Sequence, residues 1–150
     1  LASLRARDEG ASPPSLQVLL YPVTDYESQT RSKTLFARGF FLTRRDIAWF
    51  KERFLGGSRF DATAPEVSPL LVDDLSGLAP ALVVTAGFDP LRDEGRQYAD
   101  AMRAAGTAVD YREYGPVVHG FANFFTLGGA SATATSEVIS AIRAHLTRAR

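Results

Sequence analysis

An α/β fold with about three parallel strands and flanking helices is predicted by three features of the sequence. Two short, nearly continuous apolar runs, "SLQVLLYP" (15–22) and "ALVVTAGF" (81–88), read as strands covered on both faces of a parallel sheet. A third run, "AVDYREYG" (108–115), alternates, with Val109, Tyr111 and Glu113 on one side, as an outer strand with one wetter face does. A helical pattern lies between the last two, so strand, helix and strand follow one another within about 35 residues as a right-handed βαβ unit.

The elements follow in chain order. "LASLRARDEG" reads as the tail of a helix, and the first strand comes next. From Thr24 to Asp74 the pattern turns polar ("TDYESQTRSK"), then aromatic ("LFARGFFL"), then helical ("TRRDIAWFKERFLGG"). Thr43 and Asp46 form a variant capping box, with Ile47, Phe50 and Phe54 as a helical stripe. An insertion of this length exceeds what a plain crossover needs and suits a lid or one wall of an apolar pocket. Core packing is the expectation for Trp49, Phe50 and Phe54, while Phe40 and Phe41 fit core and pocket equally well. After the second strand, Leu91, Tyr98, Ala99, Met102 and Ala105 recur at helical spacing and Gly106 supplies a stop. The last helix is expected over "SEVISAIRAHLTRAR", with Val138, Ile139, Ile142 and Leu146 on one face and Arg148 and Arg150 at its end.

With 150 residues, 45% apolar and 23% charged, the chain suits one globular unit without a domain boundary. Seventeen basic residues balance seventeen acidic ones, which argues against a nucleic-acid partner. There is no cysteine, so no disulfide or thiolate site, and two histidines, His119 and His145, form no cluster; no metal is expected. No apolar stretch reaches the roughly 20 residues a membrane span needs, and the first ten residues do not form a signal peptide, so a cytoplasmic location is the expectation.

In an open α/β sheet, functional groups gather at the carboxyl ends of the strands. Here those ends carry Thr24 and Asp25, then Asp89, then His119. An acid that accepts the Nδ1 proton of a histidine fixes its tautomer and leaves Nε2 free to act as a base. Asp89 also fits an N-cap, with Pro90 at the first helical position and Asp93 and Glu94 as solvated partners of the helix dipole. Asp25 reads as a turn residue and His145 as a residue of a helix's last turn. The sequence contains no G-x-S-x-G nucleophile elbow, no dinucleotide or phosphate-loop fingerprint, and no Gly-rich oxyanion loop. "TLGGASATA" offers Ser131 but follows no strand.

The segments "LLYPVTD", "SPLLVDDLSGLAPALVVTAGFDPLRDEGRQYADAMRAAG" and "HGF" together resemble the C-terminal half of the hormone-sensitive-lipase-type esterases, serine hydrolases of the α/β-hydrolase fold. The resemblance runs over nearly the whole chain. It implies that Asp89 is the acid and His119 the base of a Ser-His-Asp triad, acting on carboxylic esters without a cofactor. It further implies that Phe36, Phe40 and Phe41, in an insertion spanning 24–74, help to form the cap and the substrate pocket. The nucleophile elbow and the oxyanion loop would lie upstream of Leu1. An N-terminal half of the same protein, or a second copy, is then expected to complete the sheet beside "LQVLLY", the other partner being a small ester. A non-catalytic relative that binds small ligands, or an inactive fragment or interaction module, is the competing reading; the presence of both Asp89 and His119 argues against a decayed binding pocket.

Overall fold

The computed structural model describes residues 2–57 and 61–148. Its centre is a three-stranded sheet in the order β1 (Gln17–Leu20), β2 (Ala81–Phe88), β3 (Val109–Val118), parallel throughout. β2 occupies the predicted residues, and all but the last are buried. Its side chains alternate between two apolar clusters. Ala81 and Val83 pack with Leu4, Tyr98, Ala99 and Met102, whereas Leu82, Val84 and Ala86 pack with Val117, Phe121, Ala134, Val138 and Ala141. Burying each Val or Leu here contributes roughly 1.5–3 kcal/mol. Both faces are thus covered, which is why the run lacks polar alternation.

β1 departs from expectation. Only four residues pair, and Val18 is 38% exposed, because β1 bonds β2 alone and no strand flanks its other edge among the described residues. β3 matches the outer-strand reading: Val109 and Tyr111 pack on the cluster that contains Tyr98, and Tyr114 packs on the other.

The pairing of β2 with β3 shifts register near its end. Ala86 faces Tyr114, but Phe88 faces Val118, so β3 carries two extra residues between these points. Continued without the shift, the register would set Asp89 opposite Val117; with it, Asp89 comes opposite His119. Pro116, which has no N–H to give to a ladder, sits in this irregular stretch.

Helix α1 (Ala2–Asp8) matches the predicted helical tail. The crossover helix α4 (Arg92–Ala104) begins later than expected. Asp89 does not cap it: Leu91 holds the cap position, because the chain first makes a tight turn in which Asp89 binds the Leu91 amide with its side chain and the Arg92 amide with its carbonyl. Gly106, with φ 89°, ends the segment as predicted. Helix α5 (Gly129–Arg148) begins earlier than expected and absorbs Ser131. Its buried stripe is Ala134, Val138 and Ala141, while Ile139 and Leu146 are each 45% exposed rather than sharing one apolar face. Arg150 and the side chain of Arg148, expected at its end, lie outside the described residues.

Within 24–74 lie α2 (Arg31–Leu35), α3 (Arg44–Leu55) and a 3₁₀ turn, Pro69–Leu71. The capping box is present: Thr43 Oγ1 accepts from the Asp46 amide, and Asp46 accepts from the Thr43 amide. The expectation of core packing for α3 does not hold. The helix buries no residue, and Trp49, Phe50 and Phe54 are 50%, 55% and 61% exposed, because α3 stands off the sheet. No helix of the described residues is long and apolar enough to cross a membrane.

Candidate active site

The carboxyl ends of β2 and β3 place Asp89 and His119 side by side. Asp89 is fully buried, and its two oxygens are divided between tasks. Oδ1 accepts the Leu91 N–H at 2.8 Å, which fixes the carboxylate plane, and Oδ2 lies 2.9 Å from Nδ1 of His119. An ionised carboxylate only accepts, so Nδ1 carries the proton and Nε2 presents its lone pair. The His119 side chain is 21% exposed, so its outer edge stays reachable while its inner edge is held. Gly120, in the left-handed region at φ 73°, then turns the chain from β3 into a 3₁₀ helix, Phe121–Leu127.

The imidazole is also held by aromatic contacts. The Tyr21 ring centroid lies 4.7 Å from that of His119, tilted by 59°, and 5.6 Å from that of Phe121. Tyr21 adopts φ 41°, an uncommon conformation for a non-glycine residue, while its amide donates to Val84 O at 2.6 Å. Burial and the neighbouring Asp89 charge push the Tyr21 phenol above its ordinary value.

A cavity of about 280 Å³ opens beside His119, lined otherwise by Val23, Tyr26, Leu42, Ile47, Phe50, Phe54 and Leu91. The lining is almost wholly apolar, and Phe50 and Phe54 of α3 form one of its walls. Phe36, Phe40 and Phe41 are placed elsewhere. Phe36 and Phe40 form an aromatic group with Phe88, and the Arg92 guanidinium lies 5.2 Å over Phe36. Phe41, at φ 70° and 64% exposed, packs edge-on against Phe124, near Gly120.

The other acids at this edge serve the fold. Asp25 accepts from the Glu27 and Ser28 amides in a local turn and does not reach the pair. Glu94 is not a solvated dipole partner: it is fully buried, bonded to Lys33 Nζ at 2.5 Å, to the Thr24 and Asp25 amides and to the Ser28 hydroxyl. Desolvation raises its pKa, against the opposing pull of Lys33 and the two amides. Asp93 accepts from the Ser32 amide and pairs with Arg92. His145 sits in the last turns of α5 and bonds Asp110 at 3.1 Å. Among the described residues no group of three or more His, Asp or Glu side chains is placed to hold a metal ion. Neither Tyr21 nor the Glu94–Lys33 pair stood out in the sequence; the only local signal was a tyrosine before proline at a strand end.

A family profile described as alpha/beta hydrolase fold matches residues 1–123. The carboxylic ester hydrolase LipN of Mycobacterium tuberculosis is 60% identical over 148 residues, covering 99% of this chain and 39% of LipN. The ethyl acetate hydrolase of Pseudomonas putida is 32% identical, covering 97% of this chain and 46% of its own length. A fungal esterase structure from Rhizomucor miehei superposes with a TM-score of 0.89 at 32% identity, covering 99% of this chain and 46% of that one. The chain thus spans less than half the length of these relatives, and the resemblance read from "FDPLRDEG" and "HGF" is borne out.

Proposed function

The chain belongs to the alpha/beta hydrolase fold family, and from that premise we propose that it supplies the acid, Asp89, and the base, His119, of a Ser-His-Asp triad in a carboxylic ester hydrolase. The observation that carries this reading is the 2.9 Å contact between a fully buried carboxylate and Nδ1 of a histidine whose outer edge is exposed. The names of the relatives, ester hydrolases and esterases, support it.

The nucleophile and the oxyanion donors belong, in this proposal, to a G-x-S-x-G-bearing segment outside this sequence, so that residues 1–150 form the C-terminal part of one domain and 24–74 contributes to its cap. That segment would pair along the free edge of β1. The serine Oγ attacks the ester carbonyl while Nε2 of His119 takes its proton. Asp89 stabilises the imidazolium through Nδ1 without itself becoming protonated. Backbone N–H groups hold the oxyanion, each such donor being worth about 10²–10³ in rate. His119 then returns the proton to the departing alcohol, and water repeats the cycle on the acyl-enzyme. The apolar cavity beside His119 suits a short to medium acyl or alcohol group, while Phe36, Phe40 and Phe41, which do not line it, are assigned in this proposal to the cap.

The test is intact-mass spectrometry of the purified protein before and after a fluorophosphonate probe, with hydrolysis of p-nitrophenyl butyrate measured in parallel. A single adduct on a G-x-S-x-G peptide, with loss of hydrolysis, is the expected result. A protein that contains such a serine yet takes no label and cleaves no ester would overturn the proposal.

A further inference from the structure

We propose that Ser32 is a positioning residue for the Asp89–His119 pair, locking from outside the turn that aims the Asp89 carboxylate. The inference rests on the reading of that pair as the acid and base of ester hydrolysis.

Ser32 comes from α2, at the root of the insertion, yet it is fully buried against the start of α4. Its amide and its hydroxyl are both engaged there. Its amide N–H donates to Asp93 Oδ2 at 2.8 Å. Its hydroxyl donates to the Pro90 carbonyl at 2.8 Å, accepts from the Asp93 amide at 3.2 Å, and lies 3.1 Å from Thr30 Oγ1. A serine hydroxyl has one proton and two lone pairs, so these contacts use its full capacity, with Thr30 as the donor in the last of them.

The groups it binds are the ones the helix leaves over. The first helical bond of α4 runs from the Gly95 amide to Leu91 O, so the Pro90 carbonyl and the Asp93 amide precede the regular ladder. Asp89 secures its own turn through Leu91 and Arg92. Ser32 secures the same turn at Pro90 and Asp93. The carboxylate direction is therefore set jointly by a local turn and by a contact 58 residues away in sequence. Loss of the hydroxyl would leave a buried carbonyl and a part-buried amide without this partner and free the turn to relax. A shift of about 1 Å in a catalytic group is enough to cost on the order of a hundredfold in rate.

The experiment compares Ser32→Ala with Ser3→Ala, whose hydroxyl is also buried and accepts from the Ala79 amide at 2.9 Å, remote from the turn. Two readouts are taken: the downfield Nδ1 proton resonance of His119 by NMR, and kcat and KM for p-nitrophenyl butyrate. Ser32→Ala is expected to abolish or displace the resonance and to lower kcat by roughly tenfold or more, with KM within about twofold. Ser3→Ala is expected to leave both in place. Retention of the resonance and of kcat in Ser32→Ala, or an equal loss in Ser3→Ala, would overturn the proposal. If Ser32→Ala does not fold, Ser32→Cys, which keeps the side chain's shape but replaces the hydroxyl by a weak donor and acceptor, carries the same expectation and the same refutation. The resonance needs no nucleophile, so a protein that cleaves no ester defeats the functional reading while the NMR comparison still decides the role of Ser32.

Discussion

Gly87 and Gly115 face each other so closely across the β2–β3 register shift that a Cβ on Gly87 would stand 2.2 Å from the Gly115 carbonyl oxygen. The neighbour is backbone, so it cannot swing aside. The shift is what sets Asp89 opposite His119, and the missing Cβ of Gly87 is what lets the two strands stay together through it, whereas a Cβ on Gly115 would meet nothing within 4 Å. Gly87→Ala is therefore expected to cost more than an ordinary strand substitution, about 2 kcal/mol or more, and to separate Asp89 from His119. Chemical denaturation together with the Nδ1 proton resonance of His119 checks both parts; a variant with parental stability and resonance would refute the role given to the shift.

Asp89→Asn tests the acid without emptying its site. The amide keeps one oxygen for the Leu91 N–H, but it can turn its NH₂ toward Nδ1 and so favour the wrong imidazole tautomer. A fall in kcat of about 10⁴ is expected, with the fold intact by circular dichroism. His119→Ala should fall as far, and the double variant little further, because members of the proposed triad would act as a unit.

Tyr21 holds a φ that costs on the order of 1 kcal/mol or more, and its ring lies against His119. What the contact needs is the ring, since its hydroxyl makes no bond in the pair. Tyr21→Phe should keep kcat within about twofold, whereas Tyr21→Ala should lower it by about tenfold. Steady-state kinetics on the two variants separates ring packing from hydroxyl chemistry.

Glu94 and Lys33 join α4 to the root of the insertion through a pair whose side chains are 0% and 9% exposed. Glu94→Ala leaves the lysine buried without its partner and should destabilise by about 3–5 kcal/mol. The raised pKa of Glu94 also has a pH signature. The folded state binds the proton more tightly than the unfolded state does. This group's contribution is thus fully present below its unfolded value and is lost as pH rises through the raised folded value. Urea unfolding followed upward from pH 4 should show that decline, and Glu94→Gln should flatten it.

Phe54 stacks on Tyr26 at 6.3 Å and lines the cavity beside His119, yet remains 61% exposed. Phe54→Ala should therefore change stability by less than about 1 kcal/mol. It should raise KM severalfold for butyrate or longer esters while leaving acetate nearly unaffected, a preference worth about 1–3 kcal/mol per methylene contact at most. An equal effect on all chain lengths would exclude Phe54 from the acyl wall.

What the sequence revealed and what it hid follow from the range of the forces involved. β2 is legible to the residue because coverage on both faces forces an unbroken apolar run, and the Thr43–Asp46 box is legible because capping is local. Asp89 and His119 could be paired from their places after consecutive strands, although the two-residue shift that brings them level left no mark beyond a glycine and a proline. The short reach of β1 depends on what pairs with its outer edge, which no property of "LQVLLY" encodes. The burial of Glu94 depends on Lys33, 61 positions earlier, and a carboxylate in a first helical turn looks the same whether it faces water or a lysine. The aromatics of α3 read as core because hydrophobicity records the need for cover, not what supplies it. Asp89 failed as a helix cap for a related reason: its side chain found a nearer amide, at Leu91, and the helix started later.

Leu91 has two duties. Its amide fixes Oδ1 of Asp89, and its side chain, 1% exposed, lines the cavity beside His119. Trimming it to widen the cavity would cost about 2–5 kcal/mol and loosen the turn beneath the acid in the same stroke. The opposite wall is under no such double constraint, since Phe50 and Phe54 project from a helix that buries nothing. On the proposed ester-hydrolase reading, substrate range and turnover are thus separable design variables on the α3 side and inseparable on the α4 side. On that reading, libraries meant to broaden the range of accepted esters belong on α3, with Leu91 kept fixed.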